Sequence, residues 1–122
     1  MNVTTRLDRH SVIHLTTVGR VTGRPHTIEI WFANRESTIY MLSGGADRSD
    51  WVRNLIRMPD VKVRVGSLEY PGLGCVVVDP EEDRVAREAV FAKYSTRYGG
   101  DLTGWREAAL PIAVDLGSIE KR

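Results

Sequence analysis

The sequence predicts an α+β protein in which short antiparallel strands curl into a barrel and helices are inserted at its margin. Three observations carry this. Roughly six or seven short runs rich in β-branched and aromatic residues recur along 122 residues. Glycine, proline or small polar residues bound almost every run, the mark of an all-β closure rather than of helical layers. Two stretches, near Asp50 and after Asp79, carry helix-start signals, with a weaker one near Trp105, which moves the class to α+β.

Taken in order, residues 1–10 are polar and charged and predict a loose arm or short helix. Ser11 to Val18 is β-branched and predicts a strand. Thr27 to Ala33 alternates, with Ile28, Ile30 and Phe32 on one face and Glu29 and Trp31 on the other. After the polar loop Asn34–Ser37, Thr38 to Leu42 completes an antiparallel meander. A glycine-rich loop, Ser43 to Ser49, leads to a helix over Trp51–Met58, capped by Ser49 or Asp50 and stopped by Pro59.

Val61 to Val65 alternates with its valines inward. Leu68–Tyr70 and Leu73–Asp79 predict strands interrupted at Pro71-Gly72, which suggests a bulge or an edge position. Cys75, inside the apolar run to Val78, reads as inert core. Asp79-Pro80-Glu81-Glu82 starts a helix that runs to about Tyr98 and ends at Gly99-Gly100. Tyr94 and Tyr98 are four apart and share a face, read on pattern alone as core packing with hydroxyls reaching solvent. A loop with a short helical turn around Trp105 precedes a final strand, Leu110–Leu116.

The length suits one domain over 1–122 with one modest core. A formal net charge of +1 excludes a strong electrostatic case for nucleic acid or an anionic membrane surface. Cys75 is the single cysteine, so no internal disulfide and no thiolate metal cluster is expected. His10, His14 and His26 have no metal-ligand spacing, and no metal is expected. No apolar core follows Met1, so no secretory signal is expected, and no run approaches the roughly 20 residues that span a bilayer. The expectation is a cytoplasmic protein; its oligomeric state stays open, a homodimer being one assembly from which a chain this small would gain by burying a second sheet face.

One stretch stands out chemically: Gly19-Arg20-Val21-Thr22-Gly23-Arg24-Pro25-His26-Thr27. The two glycines can take positive φ and let a ligand approach the backbone. Thr22 and nearby amides can form an anion-binding nest, and Arg20 and Arg24 carry planar forks suited to phosphate or carboxylate. The second glycine loop, before the helix at Trp51, points helix N–H groups at a place where an anion could sit. The plain alternatives are a hairpin turn with solvated arginines and an ordinary strand-to-helix connection.

In the order and spacing of these segments the chain resembles the deazaflavin-dependent nitroreductase-like proteins, a branch of the split β-barrel flavin-binding superfamily that includes pyridoxamine phosphate oxidase. The resemblance runs from about Val12 to Leu116. It rests on Leu15–Arg20 with Thr22–Pro25, on Ser43-Gly44-Gly45 followed by Trp51 and Asn54, on Met58–Val63, and on Tyr94–Gly100 with Leu110-Pro111-Ile112. It implies a six-stranded split barrel with two to three peripheral helices, binding coenzyme F-420, a deazaflavin with a phospholactyl-polyglutamate tail. It also implies cofactor contacts from Arg20, Thr22, Gly23, Arg24, Pro25 and His26, and ring contacts near Ser43, Gly44, Gly45, Trp51 and Asn54. Trp31 matches an aromatic position beside the substrate pocket, and Tyr94 and Tyr98 resemble tyrosines that cover the substrate and serve the chemistry.

The chain departs from the family pattern where Val21 stands for a lysine and His26 for an arginine, and its Ser43 loop is short and lacks a lysine. Arg48 and Arg53 are the replacement cations the sequence offers. The function expected is hydride transfer between reduced F-420 and a small organic acceptor. The alternatives are an FMN-dependent oxidoreductase on the same barrel and a non-catalytic protein that binds a flavin, haem or lipid-like ligand.

Overall fold

The computed structural model describes residues 7, 9–96 and 100–117. Most of the expected N-terminal arm lies outside them, as does Tyr98. Seven strands form one antiparallel sheet: β1 (Val12–Val18), β2 (Pro25–Trp31), β3 (Ala33–Arg35), β4 (Thr38–Ser43), β5 (Asp60–Val65), β6 (Leu68–Val76) and β7 (Leu110–Asp115). Three helices join them: α1 (Asp50–Arg57), α2 (Pro80–Ser95) and α3 (Thr103–Ala108).

The strand order is β2-β1-β5-β6-β7-β4-β3. The two outermost strands are therefore consecutive in the chain, separated by Phe32 alone, and the sheet curls to bring its ends to that residue. This is the split barrel expected, with one strand more because the run around Ile28–Ala33 bends in two. β2 pairs with β1 and β3 pairs with β4, so the expected meander survives with a broken middle strand.

At the bend the ladder has no place for the backbone of Phe32, and α2 supplies the missing partner. The Tyr94 hydroxyl accepts from the Phe32 N–H at 2.9 Å and shares its one proton between the carbonyls of Phe32 and Ser11. Lys93 sits 3.6 Å above the Phe32 ring, a cation–π contact from the same helix. The Tyr94 hydroxyl thus does not reach solvent; the residue is 2% exposed because backbone groups inside the protein need it.

Alternation along β4 explains the two cores. Ile39 and Met41 face the barrel interior with Ile13, Leu15, Phe32, Val63 and Leu55, while Tyr40 and Leu42 face α2 with Val90, Tyr94 and Ala113. Buried on both faces, β4 pairs with β7 along its whole length. Tyr40 donates to Glu82 at 2.8 Å, and burial, reinforced by that carboxylate, pushes its phenol up to about 12.

α2 begins as its sequence dictates, with the Asp79 carboxylate accepting from the Glu82 N–H at 2.9 Å and Pro80 in the first turn. It ends at Ser95, before the residues outside the description. β6 runs without a break through Pro71 and stops at Val76. Its second ladder, to β7, begins only at Leu73, so at Pro71 the strand has one neighbour and proline is tolerated. Cys75 is exposed rather than core, because β6 turns it outward; partial burial and the nearby Glu82 and Asp115 still push its thiol up, away from a reactive thiolate.

Candidate functional site

The Gly19–Pro25 turn joins β1 to β2, and its geometry is set by its own hydrogen bonds. The Gly19 N–H reaches the Arg24 carbonyl and the Gly23 N–H reaches the Gly19 carbonyl, both at 2.8 Å. Thr22 Oγ1 accepts from the Arg24 N–H at 3.2 Å, a side-chain turn within the turn. Gly23 has φ +73, so glycine is required there. Gly19 does not have positive φ. The space a Cβ would fill at Gly19 holds the His26 ring and the Thr22 hydroxyl, 2.6 and 2.7 Å from that point. The approach expected of a ligand at Gly19 is made by the protein's own side chains, and the Gly19, Gly23 and Arg24 amides serve the turn.

Arg20 ties this turn to α1. Its backbone N–H and one guanidinium nitrogen both donate to Asn54 Oδ1, at 3.1 and 2.8 Å, and the other nitrogen meets the Asp50 carboxylate at 3.1 Å. Asn54 is 4% exposed and donates in turn to Thr17 Oγ1 at 3.4 Å. The Arg20 fork is thus committed to the helix. Among the described residues the Arg24 guanidinium has no such partner and stands on the exposed side of the turn. α1 starts at Ser49 without a side-chain cap, because the Ser49 hydroxyl pairs with that of Ser43 at 3.1 Å. The first-turn N–H groups of α1 therefore carry their partial positive charge uncapped by a side chain.

Between turn and helix lies a cleft of about 400 Å³, lined by Arg20, Val21, Thr22, His26, Ile28, Asp50, Trp51 and Asn54 among others. Five expected cofactor residues converge here: Arg20, Thr22, His26, Trp51 and Asn54. Gly23 and Pro25 instead line a separate groove with Lys62 and Pro71. Ser43, Gly44, Gly45 and Arg48 are not among its lining residues.

A second cleft, of about 480 Å³, continues along β2, where Glu29, Ile30 and Trp31 meet Val12, Leu42, Leu102 and Trp105. Trp31 stacks on Tyr94 with ring centroids 4.3 Å apart and planes 2° from parallel, and Trp105 stands edge-on to Trp31 at 5.8 Å and 89°. The second glycine loop borders this cleft, since a Cβ on Gly44 would lie 3.9 Å from the Trp105 indole. α3, which carries Trp105, is held by Arg87 of α2. That guanidinium donates to the carbonyls of Arg106, Glu107 and Ala109 at the C-terminal end of α3, at 2.6, 3.1 and 2.7 Å.

Sequence reading missed Trp105 and Leu102 as site residues, and Asp50 as the partner of Arg20. Asp50 carried a usable signal, being an acid at a helix start opposite an arginine turn. Trp105 carried none beyond its type.

The family model for F-420H(2)-dependent quinone reductase matches residues 1–117. Among curated proteins there is no match. Among solved structures, a Listeria innocua protein named as a candidate pyridoxamine 5′-phosphate oxidase is 20% identical, with TM-score 0.71 over 95% of this chain and 91% of that one. The heme storage protein of Vibrio cholerae is 15% identical, with TM-score 0.66 over 93% and 87%. An F-420-H(2) dependent reductase is 20% identical, with TM-score 0.58 over 86% and 93%. At these identities the structural likeness is one of fold, the split barrel.

Proposed function

The chain belongs to the F-420H(2)-dependent quinone reductase family, and on that premise we propose that it passes a hydride from reduced coenzyme F-420 to a small organic acceptor of the quinone class. The observation that carries the reading is the pairing of a polar cleft with an apolar one along a single strand, at about 400 and 480 Å³. Each lies in the range of roughly 300–1,000 Å³ typical of small-molecule sites.

The donor set of the polar cleft fits a phosphorylated, acid-tailed cofactor. The uncapped first turn of α1 favours an anion. Thr22 and His26 add polar groups, and Arg24 is an exposed cation on the same turn, outside the cleft lining. Arg20 acts through α1: by holding Asp50 and Asn54 it fixes the helix start that the anion would face. Asp50 sets a limit on how much negative charge the cleft takes, because a polyanionic tail must compete with it for Arg20. Of the other expected residues, Gly23 and Pro25 line the separate groove, Gly44 approaches Trp105 of the aromatic cleft, and Ser43, Gly45 and Arg48 line neither cleft.

When bound, the deazaflavin supplies the hydride chemistry. The chain binds, orients and excludes water. Trp31 walls the acceptor side, and Tyr94 positions Trp31 by stacking, its hydroxyl being engaged with backbone. The proton that accompanies the hydride is taken up from water at the open cleft.

The test is an equilibrium titration of cofactor-free protein with oxidised F-420, read by deazaflavin fluorescence, with FMN in parallel. Micromolar or tighter F-420 binding, with FMN clearly weaker, is expected. The reverse order moves the protein to the FMN reading, and no binding to either removes the redox reading.

A further inference from the structure

We infer that His26 sets the net charge of the polar cleft, so that the cleft takes up a proton together with an anionic ligand and holds that ligand more tightly as pH falls. This rests on the proposed cofactor reading, which leaves open what governs the cleft's affinity for an anion.

Without His26 the charges of the lining cancel. Arg20, Asp50 and His26 are the ionisable side chains among the described residues that line the cleft. Arg20 comes from the turn and Asp50 from the start of α1, and they meet at 3.1 Å, a pair with no net charge. β1 brings no charged side chain to the lining, and Arg24 stands on the turn outside it. The cleft is therefore neutral when His26 is neutral and carries one positive charge when His26 is protonated. An arginine in its place would stay charged throughout. An imidazole changes charge between about pH 5 and 8.

The ring is also held at the wall of the cleft. It fills the space that a Cβ would take at Gly19, with Nε2 2.6 Å from that point. Nε2 lies 3.5 Å from Thr22 Oγ1, which accepts from the Arg24 N–H. A side chain at position 19 would push the ring away, so this glycine serves His26. Protonation turns both ring nitrogens into donors, and it adds a charged donor beside the Thr22 hydroxyl. The other two histidines are placed elsewhere: His14 lies 3.8 Å from Glu29, and His10 stands against Gly66. Binding and protonation are reciprocal, so an anion that favours the protonated cleft raises the proton affinity of His26 by the same factor.

The experiment reads both sides of that linkage. F-420 is titrated calorimetrically into cofactor-free wild type, His26→Gln and His26→Arg at constant ionic strength, from roughly pH 5.5 to 8. The His26 ring proton is followed by NMR over the same range in wild type, with sodium sulfate and with sodium chloride at matched ionic strength. Sulfate keeps its charge throughout. Relative to His26→Gln, whose profile subtracts the ligand's own titration, wild type is expected to gain about tenfold in F-420 affinity from the alkaline to the acid end. That gain corresponds to a His26 midpoint about one pH unit higher in the complex. His26→Arg should show no such gain. Sulfate should raise the His26 midpoint and leave those of His10 and His14 in place. His26 is exposed, so the variants should fold, and the NMR arm needs no variant. If F-420 binds with the same pH profile in wild type and His26→Gln, the inference falls and the cofactor reading stands. If F-420 binds at no pH while sulfate raises the His26 midpoint, the cofactor reading falls and the proton-linked anion site stands. If neither ligand acts, both fall.

Discussion

The two clefts lie side by side on β2 and are built by different means. The polar one is wired: Arg20, Asn54 and Thr17 form a chain of directional bonds from the turn to α1. The aromatic one is packed: Trp31 meets Tyr94 and Trp105 by ring contact, and the Tyr94 hydroxyl bonds to backbone behind the rings. Directional bonds fail singly when one partner is removed, whereas packed rings share their load. Damage on one side should stay on that side, and each experiment below can contradict this.

Tyr94→Ala should have the largest effect, about 3–5 kcal/mol of stability lost in urea denaturation, since a buried ring and its hydroxyl go together. Tyr94→Phe separates the two, removing the hydroxyl's bonds to Phe32 and Ser11 and keeping the ring, for about 1–3 kcal/mol. In Tyr94→Phe the F-420 affinity should hold within about twofold; a parallel fall at both clefts would make them one unit.

Next comes Tyr40, in the same cluster as the aromatic cleft. Its folded pKa of about 12 lies above its unfolded value of 10.0. The unfolded chain therefore releases this proton first as pH rises, and folding holds it. The stabilisation is complete below pH 10 and is lost between pH 10 and 12, on the order of 2 kcal/mol in all. Urea midpoints measured from pH 9 upward should fall, and Tyr40→Phe should remove that part of the slope. An unchanged slope would mean that Tyr40, buried and bonded to Glu82, is not the group that holds this proton.

Arg20→Ala should cost about 1–2 kcal/mol, because Asn54 Oδ1 stays buried after losing a charged donor. It should also weaken F-420 binding. If F-420 affinity is indifferent while stability falls, the wiring is structural and the cofactor lies elsewhere. The smallest effect is expected of Val21→Lys. Val21 is 88% exposed at the polar rim, so the change should leave stability within about 0.5 kcal/mol. It should tighten F-420 a few-fold at low salt, with the gain fading as salt is raised. A gain that persists in high salt would indicate a direct contact rather than a field.

The turn and helix start of the wired region were legible in the sequence, while of the packed region Trp31 and Tyr94 were expected through the family resemblance and Trp105 was not. The turn from Gly19 to His26 and the helix start near Ser49 are each contiguous signals, readable locally as a hairpin and a strand-to-helix loop, although the expected cap at Ser49 or Asp50 does not form. Even there, the partners of the Arg20 fork were out of reach, because an arginine's partner is chosen by tertiary geometry. Leu102 and Trp105, three apart at the start of α3, meet Leu42 and Val12 from two other segments, and nothing in the sequence announces that they share a cleft. The barrel was legible because alternation and turn residues mark strands one by one. The break at Phe32 was not, since the run through Ala33 alternates smoothly; what bends it is Tyr94, 62 positions further on.

That bend has a consequence for how the protein moves. Both ends of the sheet order belong to one strand, and the joint between them is closed by a side chain rather than by a ladder. Amide exchange should therefore find the Phe32 N–H opening with the docking of α2, at a lower free energy than the paired centre of β4. Release of α2 would loosen the Trp31 face without unzipping β1 from β5. The molecule is built with a door on its aromatic side and a fixed wall on its polar one.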